Sequence, residues 1–267
     1  MTTLESHPLN LNPARSSDMA ARLGIFAFGL LAYAMFLAAI LYAIGFVSGL
    51  LAPKTLDASP ATDSTSVIIA LLSNTGLLLL FVVQHTIMAR PGFKKWWTRI
   101  VSPAIERSIF VAIASGILML LMWQWRPVGG EIWDVREVPI LNYGLTGIGL
   151  IGWAIVFLSS FMVSHFDLFG LRQVWLRLLN QPNRSIGFRL VGFYRLVRHP
   201  LMVGFLIAFW STPLMTVSHL FFASMTTLYI MFGTWIEERD LVGQFGDTYR
   251  NYQARVRGFI PWPTHGS

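Results

Sequence analysis

The chain has 267 residues, of which 54% are hydrophobic and only 12% charged, and its apolar residues run in stretches longer than a soluble core helix needs. That composition excludes a water-soluble globular domain, and the lack of cysteine excludes disulfides, thiolate nucleophiles and thiolate-held metals. The formal charge of +7 does not call for nucleic acid, because the basic residues flank the apolar runs among Trp96, Trp97, Trp175 and Phe188, the pattern of contact with anionic lipid headgroups.

Residues 1–20 are polar, carry Pro8 and Pro13, and read as a loosely ordered tail. This tail and the long apolar run after it argue against a cleaved signal peptide. Four membrane-spanning helices are predicted within residues 21–163: Leu23 to Leu51, Ser66 to Met88, Ser108 to Trp125 and Tyr143 to Val163. The first contains Gly45 and Gly49 in a GxxxG arrangement that favours close helix approach. In the fourth, Gly147, Gly149 and Gly152 spell GxGxxG, the dinucleotide fingerprint, but they lie inside an apolar helical run with no preceding strand, so they read as helix-packing glycines.

Residues 164–267 form the remaining unit. Leu168, Leu171, Trp175 and Leu178 recur at helical spacing with Arg172, Gln173 and Arg177 on other faces, which predicts an amphipathic helix lying along the interface. The turn at Gln181, Pro182 and Asn183 ends it, and Phe188 to Val197 reads as extended or irregular. Two further spans, Leu201 to Met215 and Leu220 to Trp235, form a tight hairpin turning near Thr216 to His219. The expected fold is therefore an all-α integral membrane protein of about six transmembrane helices, with five as the alternative, a C-terminal helical hairpin and cytoplasmic interfacial helices.

Orientation follows from the Lys and Arg count of the connections. The segment from Ala89 to Arg107 carries Arg90, Lys94, Lys95, Arg99 and Arg107, and that from Ser164 to His199 carries six arginines. Both belong in the cytoplasm, as do both termini. The hairpin then brings His199, at its start, and Glu237 and Glu238, at its end, to the cytoplasmic face. Titratable groups meeting at a bilayer boundary are the default position of a functional site.

His85, His165 and His199 all lie near predicted cytoplasmic edges and could converge. A haem or metal site is one reading, but the histidines come singly, without paired ligand spacing, and no metal is expected. Pro200 after His199 starts a helix without wasting an amide donor and leaves that helix's positive end beside the imidazole, where a carboxylate is welcome. Glu237 and Glu238 across the hairpin attract an amine, with Arg239 neutralising part of their charge. A zwitterion matches this layout.

The residues Gly192, Tyr194, Arg198-His199-Pro200, Gly204, Glu237-Glu238, Phe245-Gly246, Tyr249, Tyr252 and Ile260-Pro261 resemble the isoprenylcysteine carboxyl methyltransferase-like superfamily of integral membrane methyltransferases. The strings Gln84-His85, Met88-Ala89-Arg90-Pro91, Phe93 to Arg99, Ile105 to Ser108, Trp123 to Pro127 and His165 to Gln173 extend the likeness over most of the chain. They resemble a narrower group, the bacterial methanethiol S-methyltransferases, which make dimethyl sulfide. One departure is Met202, where many superfamily members carry tyrosine; a thioether there is a soft apolar contact.

The resemblance implies in-line methyl transfer from S-adenosylmethionine to a small thiol at the cytoplasmic face of a bacterial inner membrane, with no metal. It implies a cofactor site of Tyr194, Arg198, His199, Pro200, Met202, Gly204, Glu237 and Glu238, with Phe188 and Leu190 as adenine walls. An alkanethiol is at best as acidic as cysteine, pKa about 8.5, so help with its proton is valuable. The candidates are His165, ranked first because Asp167 follows it closely, then His85 and Glu238, with Arg198 or Arg255 stabilising a thiolate. Phe81, Trp123 and Trp153 are possible walls of an apolar pocket. A prenylcysteine carboxylate or other lipidic acceptor is the alternative substrate, and a haem-binding or transport protein the alternative from another class.

Overall fold

The computed structural model describes residues 13–58, 64–183 and 190–261. Among these, five helices are long and apolar enough to cross a membrane: α1 (Pro13–Ser48), α2 (Ser64–Ala89), α4 (Glu106–Gln124), α5 (Pro139–Val163) and α9 (Val217–Phe245). Between and after them lie the shorter α3 (Pro91–Trp97), α6 (His165–Leu168), α7 (Leu171–Leu178), α8 (Pro200–Trp210) and α10 (Asp247–Arg255). Outward faces expose Leu31, Leu41, Leu72, Ile151 and Leu228, an apolar belt that water would not tolerate but lipid does. The chain is an all-α integral membrane protein.

Polar contacts sort the helix ends into two groups. At one end Arg177 pairs with Asp18 at 3.4 Å, Arg90 with Asp240 at 2.8 Å, and Arg107 Nε donates to the Leu168 carbonyl at 2.6 Å. At the other, Asn74 exchanges two hydrogen bonds with the backbone of Arg126, and Trp125 Nε1 donates to Ser218 Oγ at 3.0 Å. The first end gathers the arginine- and lysine-rich connections. The core between them is built from Phe46, Leu121, Met122, Trp125, Trp153, Phe209 and Phe222.

The hairpin differs from the expected pair of equal spans. Its first leg, α8, stops at Trp210, because Thr212 precedes Pro213 and is pushed out of helical backbone. The chain continues as β2 (Leu214–Thr216), paired antiparallel with β1 (Glu131–Asp134), so its backbone groups are satisfied within protein. Thr216 then caps α9 by accepting from His219 N–H at 3.0 Å. The second leg is longer than expected: α9 runs on past Trp235 through Glu237 and Glu238 to Phe245, ending at Gly246 with φ +56°.

Helix α8 packs on α5 antiparallel, through the glycines read as a packing surface. A Cβ at Gly149 would lie 2.9 Å from the Ser211 carbonyl, and one at Gly152 2.6 Å from the Ala208 nitrogen, whereas Gly147 has nothing within 4 Å. The expected interfacial helix is α7, whose Val174 is buried against Gly29 of α1.

Candidate active site

At the basic end of the bundle the hairpin's two feet stand side by side. Pro200 opens α8 at its first position, so no amide is wasted, and the preceding backbone is held by the C-terminal segment: Arg198 N–H donates to the Arg257 carbonyl at 2.8 Å and His199 N–H to that of Gly258 at 3.0 Å. Gly192, at φ +51°, lets the chain turn against Met162, whose sulfur accepts from Phe193 N–H.

Glu238 is the hub of this end. Its Oε1 accepts from Arg198 Nε at 2.7 Å and His199 Nε2 at 2.8 Å, and its Oε2 from Gln253 Nε2 at 3.0 Å. Arg198 spends its remaining reach on the Val256 and Gln253 carbonyls. Three donors on one carboxylate make Glu238 a fixed strut rather than a free group. Glu237 is different: its carboxylate is about half exposed and lies 4.0 Å from His199 Nδ1, the one ion-pair approach it makes among the described residues. Glu237 is therefore open to a cation brought by a ligand, whereas Glu238 is not. Arg239, expected to offset the pair, instead stacks on Trp235 at 4.2 Å, and Arg198 takes that role.

Tyr194 sits close to Glu237, and burial first, with that charge second, holds its phenol well above the ordinary range. Its carbonyl accepts from the Tyr252 hydroxyl at 2.6 Å; burial pushes Tyr252 up to about 12, so it stays a donor. Phe259 stacks on His199 at 5.6 Å, and a pocket of about 380 Å³ opens among Arg198, His199, Thr234, Glu238, Arg257 and Phe259. Of the expected cofactor residues, Arg198, His199, Glu237 and Glu238 meet directly. Gly204 lies in the α5 contact, Pro200 is buried at the start of α8, Met202 is half-buried in its first turn, and Leu190 is exposed beside the stretch 184–189. Phe188 lies outside the described residues.

The three histidines occupy three separate sets of contacts. His165 is buried, stacked on Phe161 at 4.1 Å, with Nδ1 2.8 Å from Ser160 Oγ and Nε2 2.8 Å from Tyr33 Oη. Ser160 spends its own proton on the Phe157 carbonyl, so it accepts from Nδ1–H, and Tyr33 donates to Nε2. Asp167, expected to orient this ring, binds Arg172 at 3.0 Å and Gln173 instead. His165 thus has no free lone pair. His85 lies between Phe81 and Phe110, with Nδ1 buried and, among the described residues, unpartnered. Gln253, Phe259, Tyr33 and Ser160 carried no motif that would single them out. Their roles depend on which helices meet.

Such a bundle, with a carboxylate, an imidazole and a guanidinium gathered at its basic end, defines a polytopic membrane protein with a cluster of polar groups at that end. Its sequence is 45% identical over 98% of the chain to methanethiol S-methyltransferase 1 of Bradyrhizobium diazoefficiens, covering 90% of that protein. It is 48% identical over 88% of the chain to methanethiol S-methyltransferase of Mycobacterium tuberculosis, covering 95%. A more distant likeness, 31% over 68% of the chain and 71% of the relative, is to nurim of Bos taurus. No family model matches the chain, and no solved structure was found to match it. The chain belongs to the methanethiol S-methyltransferase family.

Proposed function

We propose that this protein transfers a methyl group from S-adenosylmethionine to methanethiol, giving dimethyl sulfide, at the cytoplasmic face of a bacterial inner membrane. Family membership supports the reaction. The observation that carries the donor assignment is the contrast between neighbouring carboxylates: Glu238 is saturated, while Glu237 is open and, among the described residues, approaches only His199 as an ion pair. An open carboxylate at a site with a buried imidazole fits the ammonium of an amino-acid-bearing donor. The positive start of α8 fits that donor's carboxylate.

In this reading Glu237 holds the ammonium, Tyr194 and His199 orient it, and Arg198 and Glu238 keep both hairpin feet together. Pro200, Met202 and Gly204 shape the α8 start, and Leu190 and Phe188 wall the adenine. The donor supplies an electrophilic methyl on sulfonium sulfur. The Lys and Arg content of the connections at this end supports a cytoplasmic face for the site. Small acceptors fit an apolar bundle entered from lipid, as methanethiol is neutral before it ionises.

The test supplies the purified protein with S-adenosylmethionine and methanethiol and follows dimethyl sulfide in the headspace together with S-adenosylhomocysteine. Equimolar appearance of both is expected; dimethyl sulfide without the demethylated donor refutes the reading.

A further inference from the structure

Several buried polar atoms are left over by this account, Gln84 Oε1, Thr86 Oγ1, Ser108 Oγ and His85 Nδ1 among them. His85 Nδ1 is the one of these four that belongs to an imidazole, and it has no hydrogen-bond partner among the described residues, a costly arrangement in a helical bundle unless a ligand completes it. Its surroundings are aromatic on three sides from three helices. Phe81, one turn earlier on α2, stacks on the imidazole at 5.2 Å; Phe110 of α4 lies 5.0 Å away; Tyr229 of α9 meets it edge-on at 6.5 Å. One turn after Tyr229 on α9 stands Gly233, where an added Cβ would be in ordinary contact with the Tyr229 ring at 3.8 Å.

This aromatic cluster stands apart from the residues that line the pocket at the hairpin feet. Arg107 and Arg90 are the charges that bear on His85, the first stacked over Phe110 at 4.8 Å, the second paired with Asp240 at 2.8 Å. Tyr229 is in turn within electrostatic reach of Glu237 and Arg90. Glu237 is therefore near Tyr194 and His199 of the hairpin foot and near Tyr229 of the cluster.

Resting on the donor assignment above, we infer that the aromatic cluster of Phe81, His85, Phe110 and Tyr229 walls the chamber that takes the methyl acceptor, and that His85 Nδ1 takes the thiol proton. A small thiol suits it: aromatic rings are favourable partners for sulfur, and one proton acceptor is all the polar chemistry it needs. The S–H bond breaks and its proton forms Nδ1–H. The sulfur's electron pair forms the new S–CH3 bond, and the donor's C–S pair stays on the donor sulfur, leaving a neutral thioether. The proton then leaves the imidazolium to water.

The test uses the full chain in lipid nanodiscs. For His85→Asn and His85→Gln, kcat/KM for methanethiol at pH 7 is expected to fall about 100-fold or more with S-adenosylhomocysteine affinity kept, and the deficit to narrow as pH passes about 8.5, where the thiol ionises unaided. Turnover within threefold of the parent, or a deficit equal at every pH, overturns the role. Phe110→Ala is expected to admit propanethiol, and Gly233→Leu to lose methanethiol turnover while still binding S-adenosylhomocysteine; an unaltered size preference in both overturns the chamber. If the parent fails to bind S-adenosylhomocysteine, the donor assignment falls and the chamber with it. Normal binding with the overturning kinetics removes the chamber alone.

Discussion

Gly152 of α5 and Gly204 of α8 face each other so closely that a methyl group on either would lie 2.7 Å from the other's carbonyl oxygen. The hairpin's first foot is seated by this contact, because α8 has only eleven residues and rests mainly on α5. In lipid, where no hydrophobic force drives helices together, close backbone approach is what holds such a pair.

Gly152→Ala and Gly204→Ala are each expected to destabilise the bundle by about 1–3 kcal/mol through overpacking against backbone that has nowhere to move. Gly147→Ala, with open space around it, is expected to leave stability unchanged. Thermal unfolding in detergent, followed by tryptophan fluorescence, separates them. Equal melting temperatures for all three would refute the packing account.

The neighbouring carboxylates should part company. Glu237→Gln is expected to weaken S-adenosylhomocysteine binding at least tenfold with little change in melting temperature. Glu238→Gln should cost about 1.5–3 kcal/mol of stability, since it takes the charge from bonds to Arg198 and His199. Calorimetric binding and unfolding on the same samples check both. Similar behaviour of the two variants would remove the distinction between open and saturated carboxylate.

His165 gives a pH dependence with a definite sign. Burial lowers its pKa below the ordinary 6.5, so the folded protein binds fewer protons there than the unfolded chain. Its contribution is fully present above pH 6.5 and is lost as pH falls from there toward the depressed folded value. Replacing His165 with leucine removes two hydrogen bonds but should flatten that slope. Unfolding midpoints between pH 8 and 5 measure it, and an unchanged slope would show that other groups set it.

At the opposite end of the bundle, His219 is wholly buried with Nδ1 3.0 Å from Asp57 and Nε2 2.9 Å from the Phe209 carbonyl, and Asp57 also accepts from Thr216 at 2.5 Å. This cluster ties the connection after α1 to the hairpin turn. Asp57→Ala is expected to cost about 3 kcal/mol, because it leaves a buried imidazole without its carboxylate. Hydrogen exchange should then rise at the hairpin turn; exchange confined to residues near position 57 would count against the tie.

Composition and spacing by themselves determined that this chain lives in a membrane, where most of its helices lie, and that His199 returns to Glu237 and Glu238. Those follow from run length and hydropathy, which act locally along the chain. The short α8 and the over-long α9 were less legible, since Pro213 and the β1 pairing decide one and a polar helical continuation the other. The division of labour at the site belongs to tertiary structure alone. Glu237 and Glu238 are adjacent and chemically identical, and only the arrival of Arg198 and Gln253 from elsewhere makes one a strut and leaves the other open. His165 and His85 likewise look alike in sequence, and they differ because Tyr33 and Ser160 fill the ring nitrogens of the first, while aromatic faces surround the second and leave its Nδ1 bare. A side chain's role depends on which partners satisfy it, and those partners come from helices far apart in the chain.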